Sequence, residues 1–412
     1  MGKDGKYFVD LFAGCGGLSL GLEQAGFVPA YVNELDKDAM ESYLINREEF
    51  PLLREKYSSN DIQQITKNGE LEKLQSGFEE DYGIKRGELA LVVGGPPCQG
   101  YSAIGIRRNH PVDRKRIPSN YLFKDMIKVI DSLQPRAFLF ENVMGLMTGR
   151  WMPQGTKGEI WDQVTRAFAK LDGYTVGWTK SALHAKHYGV PQNRPRIFIM
   201  GIKGGTEPKL LDNGGLWPTP TNGAPDPVDL FSDLVDPEYR QELKTPRYLS
   251  DPQSGIQKIL RTKPDGSILS EGNELAEQEY SNHSAEIRAK FQYMIDNGGK
   301  ITEAMKTKKF AQRVIPERWG EKGPNITATS LPDDYVHYCQ PRSLTVREWA
   351  RLQMFPDWYK FAGKRTTGGD RRAGNPSKGD WSREAPKYTQ IGNAVPVKLA
   401  EEIGKHIKKL IQ

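Results

Sequence analysis

Three short stretches of this sequence place reactive side chains where a predicted strand ends or begins. Cys98 lies in GGPPCQGYS, directly after the apolar run 89–93. Glu141 follows four apolar residues in AFLFENV, and Arg194 and Arg196 alternate just before the strand predicted in RIFIMGI. Ligands of an open α/β sheet bind at the carboxyl ends of its strands, so Cys98 and Glu141 stand where a substrate would lie.

These residue types favour covalent catalysis. The prolines, glycines and polar residues around Cys98 give a thiol little apolar packing, which favours a nucleophile over a buried, inert cysteine. Glu141 could share a proton with a ring nitrogen of a substrate, and the alternative is an ordinary structural ion pair. Because Arg194 and Arg196 alternate, we expect both guanidinium groups on one side, where they could bind a carbonyl oxygen or a phosphate.

A glycine-rich turn near the start of the chain predicts a nucleoside cofactor. In DLFAGCGGLSLG, Gly14, Gly16 and Gly17 lie between a predicted strand and a predicted helix, as they do where a doubly wound sheet binds such a cofactor. Glu34 follows Gly14 by twenty residues, at a strand end where a carboxylate can accept both ribose hydroxyl hydrogens. Asp61 could accept a hydrogen bond from adenine, or could cap a helix. NAD and S-adenosylmethionine both satisfy this pattern.

The elements that must position these residues alternate along the first two hundred residues. Short apolar runs and amphipathic stretches predict a mostly parallel, doubly wound α/β sheet. From about Lys203 the sequence becomes rich in Pro, Gly and Asn, which predicts a second, smaller, irregular domain. Regular pattern returns at SLTVREWARLQMF and in an amphipathic closing helix that could dock on the first domain. The expected division is 1–202, 203–340, 341–385 and 386–412.

Composition excludes several classes of protein. The 412 residues contain no stretch of roughly 18 apolar residues, and the start lacks a secretory pattern, so a cytoplasmic location is expected. The three cysteines, Cys15, Cys98 and Cys339, form no CxxC pair, so we expect neither a disulfide framework nor a metal site. The net charge of +6 suits a polyanionic partner without requiring one.

Six motifs in order give the chain its resemblance to the DNA (cytosine-5) methyltransferases of bacterial restriction-modification type. DLFAGCGG resembles the family's S-adenosylmethionine turn, GGPPCQGYS its nucleophile loop, ENV its acid strand and QNRPR its arginine motif. RSLTVREWARLQMFP resembles the segment that organises the recognition domain, and QIGNAVP the closing motif. The resemblance implies a Rossmann-like, S-adenosylmethionine-dependent domain followed by a target recognition domain.

The resemblance also implies roles for individual residues. Cys98 would add to C6 of a flipped-out cytosine, Glu141 would engage N3, and Arg196, with Arg194, would hold O2. The residues that match the family's cofactor site are Phe12, Ala13, Gly14, Gly16, Gly17, Glu34, Leu35, Asp61, Ile62, Pro97, Leu122, Asn393 and Val395.

Contacts to duplex DNA are expected from two regions. The basic loop after Cys98 is interpreted as a lid that closes on phosphates, and a solvated surface loop is the alternative. The irregular domain should supply the base-reading side chains, and His283 is interpreted as a helix-cap neighbour rather than a reader. A second basic run, 364–387, is longer than is usual in the family. The expected DNA contacts are Gln99, Ser102, Arg107, Arg108, Arg114 and Gln192.

Other functions remain open at this point. A tRNA cytosine methyltransferase on the same fold would carry a Cys-Phe-Thr element, which is absent from the sequence. A non-catalytic DNA-binding homologue would be expected to lose Cys98, Glu141 or Glu34. An oxidoreductase that uses NAD has no need of the Pro-Pro-Cys loop, and enzymes that methylate amino groups of DNA have no need of the cysteine. We expect a monomer that is associated with the bacterial nucleoid when bound to DNA, and a cognate restriction endonuclease could accompany it in the host.

Overall fold

The computed structural model describes residues 6–97, 118–152, 154–206, 210, 213–221, 223–306, 312–318, 324–326, 334–367 and 384–412. The backbone divides into two compact units. The first comprises Met1–His184, Pro195–Pro220 and Leu399–Gln412, and the second comprises Ala185–Arg194 and Thr221–Lys398. The functional division expected from the sequence, with its boundary at 202/203, stays a prediction.

The first unit is built on one mixed sheet whose strand order is β3-β2-β1-β4-β5-β8-β6, with β7 paired to β8. The pairs from β3 to β5 are parallel, and β8 runs antiparallel to β5, β6 and β7. The chain moves outward from β1 to β3 and then returns to β4 on the other side of β1, which confirms the predicted doubly wound α/β fold. The strands are β1 Tyr7–Leu11, β2 Val28–Asn33, β3 Ser58–Ser59, β4 Leu91–Gly94, β5 Ala137–Val143, β6 Tyr174–Trp178, β7 Leu183–His184 and β8 Pro195–Lys203.

Helices connect these strands and cover the apolar core, to which β1, β2, β4, β5 and β8 contribute buried residues. They are α1 Gly17–Gln24, α2 Lys37–Leu44, α3 Pro51–Glu55, α4 Ile62–Ile65, α5 Glu70–Tyr82, α6 Phe123–Leu133 and α7 Glu159–Phe168. The closing helix, Val397–Leu410, packs on α1 from Leu399 onward: a Cβ on Gly404 would lie 2.8 Å from Cβ of Ala25. Among the described helices, none is both long and apolar enough to cross a membrane.

The second unit is made of short elements, as the irregular composition predicts. They are α8 Pro227–Phe231, α9 Tyr239–Glu242, α10 Gly255–Arg261, α11 Ala285–Asp296, β9 Arg313–Val314, β10 Tyr335–Val336, α12 Val346–Leu352 and α13 Lys387–Asn393, after which the closing helix is α14. Two of its apolar clusters are small, such as the one formed by Leu234, Tyr248 and Leu275. Short elements around small clusters need further interactions to fix their arrangement.

Buried ion pairs supply those interactions, and they centre on α12. Arg351 lies 2.6 Å from Asp233 and 2.5 Å from Asp357, and all three side chains are fully buried. Glu348 is paired with Arg342 at 2.6 Å; burial opposes its ionisation, but Arg342 lowers the pKa of Glu348 to about 2. Removing one partner from such a buried pair costs about 3–5 kcal/mol, because the other charge stays buried alone. The charges of α12 therefore link segments of the second unit that are distant in the sequence.

Candidate active site

The glycine turn after β1 has a backbone that few residues adopt. Gly14 and Gly16 have φ values of 58° and 86°, and Phe12, a bulky residue, has a φ of 61°. A non-glycine residue in this region is strained by about 1–3 kcal/mol and persists only where its surroundings hold it. The N–H of Ala13 donates to the carbonyl of Asn33 at 3.0 Å, which joins the turn to the end of β2. Strain of this kind is common at functional sites.

Open space adjoins this turn. A Cβ added to Gly14 would meet no atom of the described residues within 4 Å. Glu34 closes one side: its Oε2 accepts the N–H of Gly14 at 2.8 Å, and its Oε1 accepts the N–H of Asp36 at 2.8 Å. Burial raises the pKa of Glu34, and these two N–H groups oppose the rise. Each carboxylate oxygen keeps a lone pair that could accept a ribose hydroxyl.

The residue after Glu34 is unusually exposed for its type. Leu35 is 73% exposed, among the most exposed of the large apolar side chains described. Such a side chain suits contact with a flat apolar ring. The turn, the carboxylate and this leucine therefore fit a nucleoside cofactor in shape and chemistry.

The other expected cofactor residues of the first unit differ in exposure. Asp61 is exposed and caps α4, since its Oδ1 accepts the N–H of Gln63 at 2.9 Å; the alternative role considered for it is therefore present. Ile62 is buried in the core. Pro97 is exposed, whereas Leu122 is half-buried at the start of α6. Ala13 and Phe12 pack partly against the core.

The segment that follows β4 and leads to Cys98 is described only as far as Pro97. The residues Cys98, Gln99, Ser102, Arg107, Arg108 and Arg114 lie outside the described residues. The backbone before them contacts the ENV stretch of β5: Nδ2 of Asn142 donates to the carbonyl of Pro96 at 3.0 Å. A Cβ added to Gly95 would lie 2.8 Å from Oε2 of Glu141. The chain therefore approaches Cys98 in direct contact with the glutamate.

Glu141 is paired with Arg196 in the interior of the first unit. Nε of Arg196 lies 2.5 Å from Oε1 of Glu141, and both side chains are about nine-tenths buried. The pairing follows from the antiparallel register of β5 and β8, which sets Arg196 opposite Val143. Burial lowers the pKa of Arg196, and the carboxylate of Glu141 opposes this shift. The pair presents a carboxylate and a guanidinium side by side, as a ring with adjacent nitrogen and carbonyl groups requires.

Arg194 does something different from Arg196, which corrects the expectation that both guanidinium groups serve one side. Arg194 lies before β8, in the second unit, and is buried. It donates to the carbonyls of Gly392 at 2.7 Å and Asn393 at 3.2 Å, and to that of Ile326. Its terminal nitrogens thus bind backbone carbonyls of the closing motif and of Ile326.

Gln192 is also committed to the protein interior. Its side chain is fully buried, and its Nε2 donates to the carbonyl of Leu352 at 2.9 Å and to Oε1 of Gln353 at 2.7 Å. The structure thus gives the Gln192 side chain partners within the protein, and its expected contact with DNA stays a prediction. Gln353 in turn donates to the carbonyl of Ile391, in the closing motif, at 2.8 Å.

The remaining expected residues lie in the second unit. Asn393 is exposed at the end of α13, and Val395 is buried. His283 is buried directly before Ser284, the N-cap of α11, and its Nε2 lies 3.1 Å from Oγ of Ser343, consistent with the helix-cap interpretation. Of the second basic run, 368–383 lies outside the described residues.

Two contacts at the site were not singled out by sequence reasoning. They are the hydrogen bond from Asn142 to Pro96 and the close approach of Gly95 to Glu141. Asn142 directly follows Glu141, and Gly95 lies three residues before Cys98, so both stand inside motifs that the sequence shows. Their place in the motifs of Cys98 and Glu141 could have indicated these contacts. Those motifs end two predicted parallel strands, and the ends of parallel neighbouring strands meet at the same sheet edge.

The chain is similar to known proteins over nearly its whole length. A family model for C-5 cytosine-specific DNA methylases matches residues 7–409. The chain is 29% identical to the Type II methyltransferase M.DdeI of Desulfomicrobium norvegicum, over 97% of this chain and 88% of that protein. It is 30% identical to the Type II methyltransferase M.Sau96I of Staphylococcus aureus, over 98% of this chain and 76% of that protein.

A solved structure shows the same fold. It is that of an E. coli prophage protein assigned as a DNA modification methyltransferase, with a TM-score of 0.66 and 22% identity over 98% of this chain and 99% of that chain. The family match extends over nearly the whole sequence, including all six motifs. The chain therefore belongs to the C-5 cytosine-specific DNA methylase family.

Proposed function

We propose that this protein transfers a methyl group to C5 of a cytosine within a specific sequence of duplex DNA, by transient covalent addition of Cys98 to C6. One observation carries the proposal: the Glu141 carboxylate is paired with Arg196 at 2.5 Å and lies against Gly95, three residues before Cys98. The Glu141 carboxylate, the Arg196 guanidinium and the segment that leads to the Cys98 thiol thus lie close together at the ends of neighbouring strands. Family membership makes cytosine the ring on which they act.

Each side chain has a defined task in this mechanism. The Cys98 thiolate forms an S–C6 bond, and the π electrons of C5=C6 move toward C4 and N3 while Glu141 holds or supplies a proton at N3. C5 becomes an enamine-like carbon nucleophile. Arg196 hydrogen-bonds the cytosine O2 and keeps Glu141 in place. Once C5 carries the methyl group, loss of its proton to a base expels the thiolate and restores the C5=C6 double bond.

The turn after β1 is proposed to hold S-adenosylmethionine. This cofactor supplies, when bound, the activated methyl group that C5 accepts. Gly14 and Gly16 let it approach the backbone, Glu34 accepts the ribose hydroxyls, and Leu35 covers the adenine ring. The remaining expected residues, Phe12, Ala13, Gly17, Asp61, Ile62, Pro97, Leu122, Asn393 and Val395, are proposed to line the same ligand.

The target base must leave the duplex, since C6 is inaccessible within the base stack. We assign closure over the flipped cytosine to the basic loop after Cys98, including Arg107, Arg108 and Arg114. Base reading is assigned to the irregular region 203–340. Both assignments rest on the family resemblance and on position in the chain.

The biological setting proposed is a restriction-modification system. The Type II methyltransferases among the relatives support this role, in which the enzyme protects host DNA from a cognate endonuclease. We propose that the protein acts as a monomer on DNA in the bacterial cytoplasm.

Incubation with tritiated S-adenosylmethionine tests the substrate. Duplex DNA and tRNA are offered in parallel, and Cys98→Ser serves as the inactive control. Label in duplex DNA that is lost with the variant is expected. Label that appears only in tRNA, or in neither polymer, would contradict the proposal. Bisulfite sequencing of DNA from an expressing host would then identify the recognition sequence.

A further inference from the structure

A buried polar network underlies the glycine turn, and most of its members lie outside the motifs that carry the family resemblance. Arg47, just beyond α2, is only 2% exposed. Its Nε lies 2.7 Å from Oε1 of Glu23 on α1, and one terminal nitrogen donates to the carbonyl of Tyr43 at 2.8 Å. A buried arginine is costly unless its donors are used. Here they join α1 to α2.

The other terminal nitrogen of Arg47 reaches the turn itself. It donates to the carbonyl of Gly16 at 3.4 Å. That carbonyl also accepts the first helical N–H, from Leu20, at 2.9 Å. Because a trans peptide directs its N–H opposite to its C=O, holding the carbonyl of Gly16 also fixes the direction of the N–H of Gly17. Gly17 begins α1, and the first N–H groups of a helix have no partner within it.

A second branch of the network reaches the strand before the turn. The guanidinium of Arg47 stacks 3.7 Å from the ring centroid of Tyr43. The Tyr43 hydroxyl lies 2.9 Å from Oγ of Ser19, which donates to Oδ2 of Asp10 at 2.5 Å. Asp10 stands two residues before the strained Phe12. The network thus holds the turn at both of its ends.

We infer that Arg47 is a positioning residue for the cofactor: through Gly16 on one side, and through Tyr43 and Ser19 to Asp10 on the other, it preforms the turn that receives S-adenosylmethionine. The inference rests on the proposed function of that turn. We expect no such effect from an exposed ion pair of α2. Arg54, for instance, pairs with Glu41 of α2 at 2.9 Å, with both side chains nearly half exposed.

Arg47→Lys in the full-length protein tests the inference. Lysine keeps the charge beside Glu23, but a single ammonium cannot also span the carbonyls of Tyr43 and Gly16. We expect the affinity for S-adenosylhomocysteine, measured by isothermal titration calorimetry, to fall about tenfold. The KM for S-adenosylmethionine should rise in parallel while kcat stays within twofold, because Glu141 and Arg196 are untouched. Arg54→Lys is the matched control and should bind as the wild type does.

Tyr43→Phe provides an independent variant, since it keeps the ring beneath Arg47 and removes only the hydroxyl that contacts Ser19. About threefold weaker binding is expected. If the wild type binds S-adenosylhomocysteine and a folded Arg47→Lys protein binds it equally well, the inference is overturned while the proposed function stands. If Arg47→Lys fails to fold, unchanged binding by Tyr43→Phe overturns it. If the wild type does not bind the ligand, the proposed function fails and the inference with it.

Discussion

Adding one methyl group at Gly95 probes the contact between the nucleophile loop and the glutamate. In Gly95→Ala, the new Cβ would lie 2.8 Å from Oε2 of Glu141 and 3.7 Å from its backbone oxygen. Ordinary contacts of a Cβ begin at 3.4 Å, so the carboxylate oxygen must move by about 0.6 Å. The shift cannot be absorbed without consequence, because the other oxygen is bound to Arg196 at 2.5 Å.

The size of the effect follows from this displacement. A misplacement of about 1 Å in an active site can cost about a hundredfold in rate, so roughly a tenfold loss in kcat is expected here, equivalent to about 1.4 kcal/mol in the activation barrier. The overpacking itself is expected to destabilise the fold by about 1–3 kcal/mol. Methyl transfer to duplex DNA under single-turnover conditions measures the first quantity, and urea denaturation measures the second.

A matched glycine distinguishes local from general effects. A Cβ on Gly255 would have no atom of the described residues within 4 Å, so Gly255→Ala is expected to leave both quantities nearly unchanged. A folded Gly95→Ala protein with the kcat of the wild type would refute the reasoning, since it would mean that the position of the Glu141 carboxylate does not limit the reaction.

Substitutions at three other positions separate chemistry from scaffolding. Cys98→Ser is expected to keep DNA and cofactor binding and to lose turnover, because a hydroxyl is far less ionised than a thiol; filter binding and methyl transfer check this, and retained turnover would exclude covalent addition. Arg194→Lys is expected to lower the urea midpoint, because one ammonium cannot hold the carbonyls of both Gly392 and Asn393; an unchanged midpoint would contradict this. Burial raises the pKa of Asp10 from 3.8 to about 7. Between these two pH values the folded protein keeps a proton on Asp10 that the unfolded chain loses. The contribution of Asp10 to the free energy of unfolding therefore falls as the pH rises from about 4 to about 7. Asp10→Asn should therefore flatten the change in urea midpoint between about pH 4 and pH 7, and an identical pH dependence would count against it.

Much of the first unit could be predicted because its signals are local. The apolar runs mark β1, β2, β4 and β5, and the spacing of Glu34 from Gly14 identifies the acid that binds the turn. The residue types of Glu141 and Arg196 also indicated that these side chains bind a substrate or take part in catalysis. Their pairing did not follow from the sequence, because it depends on the antiparallel register between β5 and β8, which no local pattern encodes.

Arg194 shows why a pattern rule failed. Alternation places side chains i and i+2 on one face only within a strand. Strand β8 begins at Pro195, so Arg194 lies before the strand, and its side chain binds backbone groups of the second unit. The alternation of side chains within β8 therefore does not extend to Arg194. The partners of Gln192 were equally hidden, since a polar side chain gives no sign in the sequence that it binds a buried backbone group.

The second unit was the least predictable part. Arg351, Asp233 and Asp357 resemble surface residues by type, yet they are fully buried and bind one another. Asp233 and Arg351 are 118 positions apart, so only the tertiary fold brings them together. The contacts of Arg47 could not be predicted for the same reason, because Glu23, Tyr43 and Gly16 belong to different elements.

The most direct measurement is a covalent trap. A duplex in which 5-fluorocytosine replaces the target cytosine, identified by methylation mapping, is incubated with the protein and S-adenosylmethionine, and the products are digested for mass spectrometry. Fluorine cannot leave C5 as a proton does, so we expect a stable adduct through the sulfur of Cys98. Failure to form that adduct, by a preparation that methylates the ordinary duplex, would contradict it.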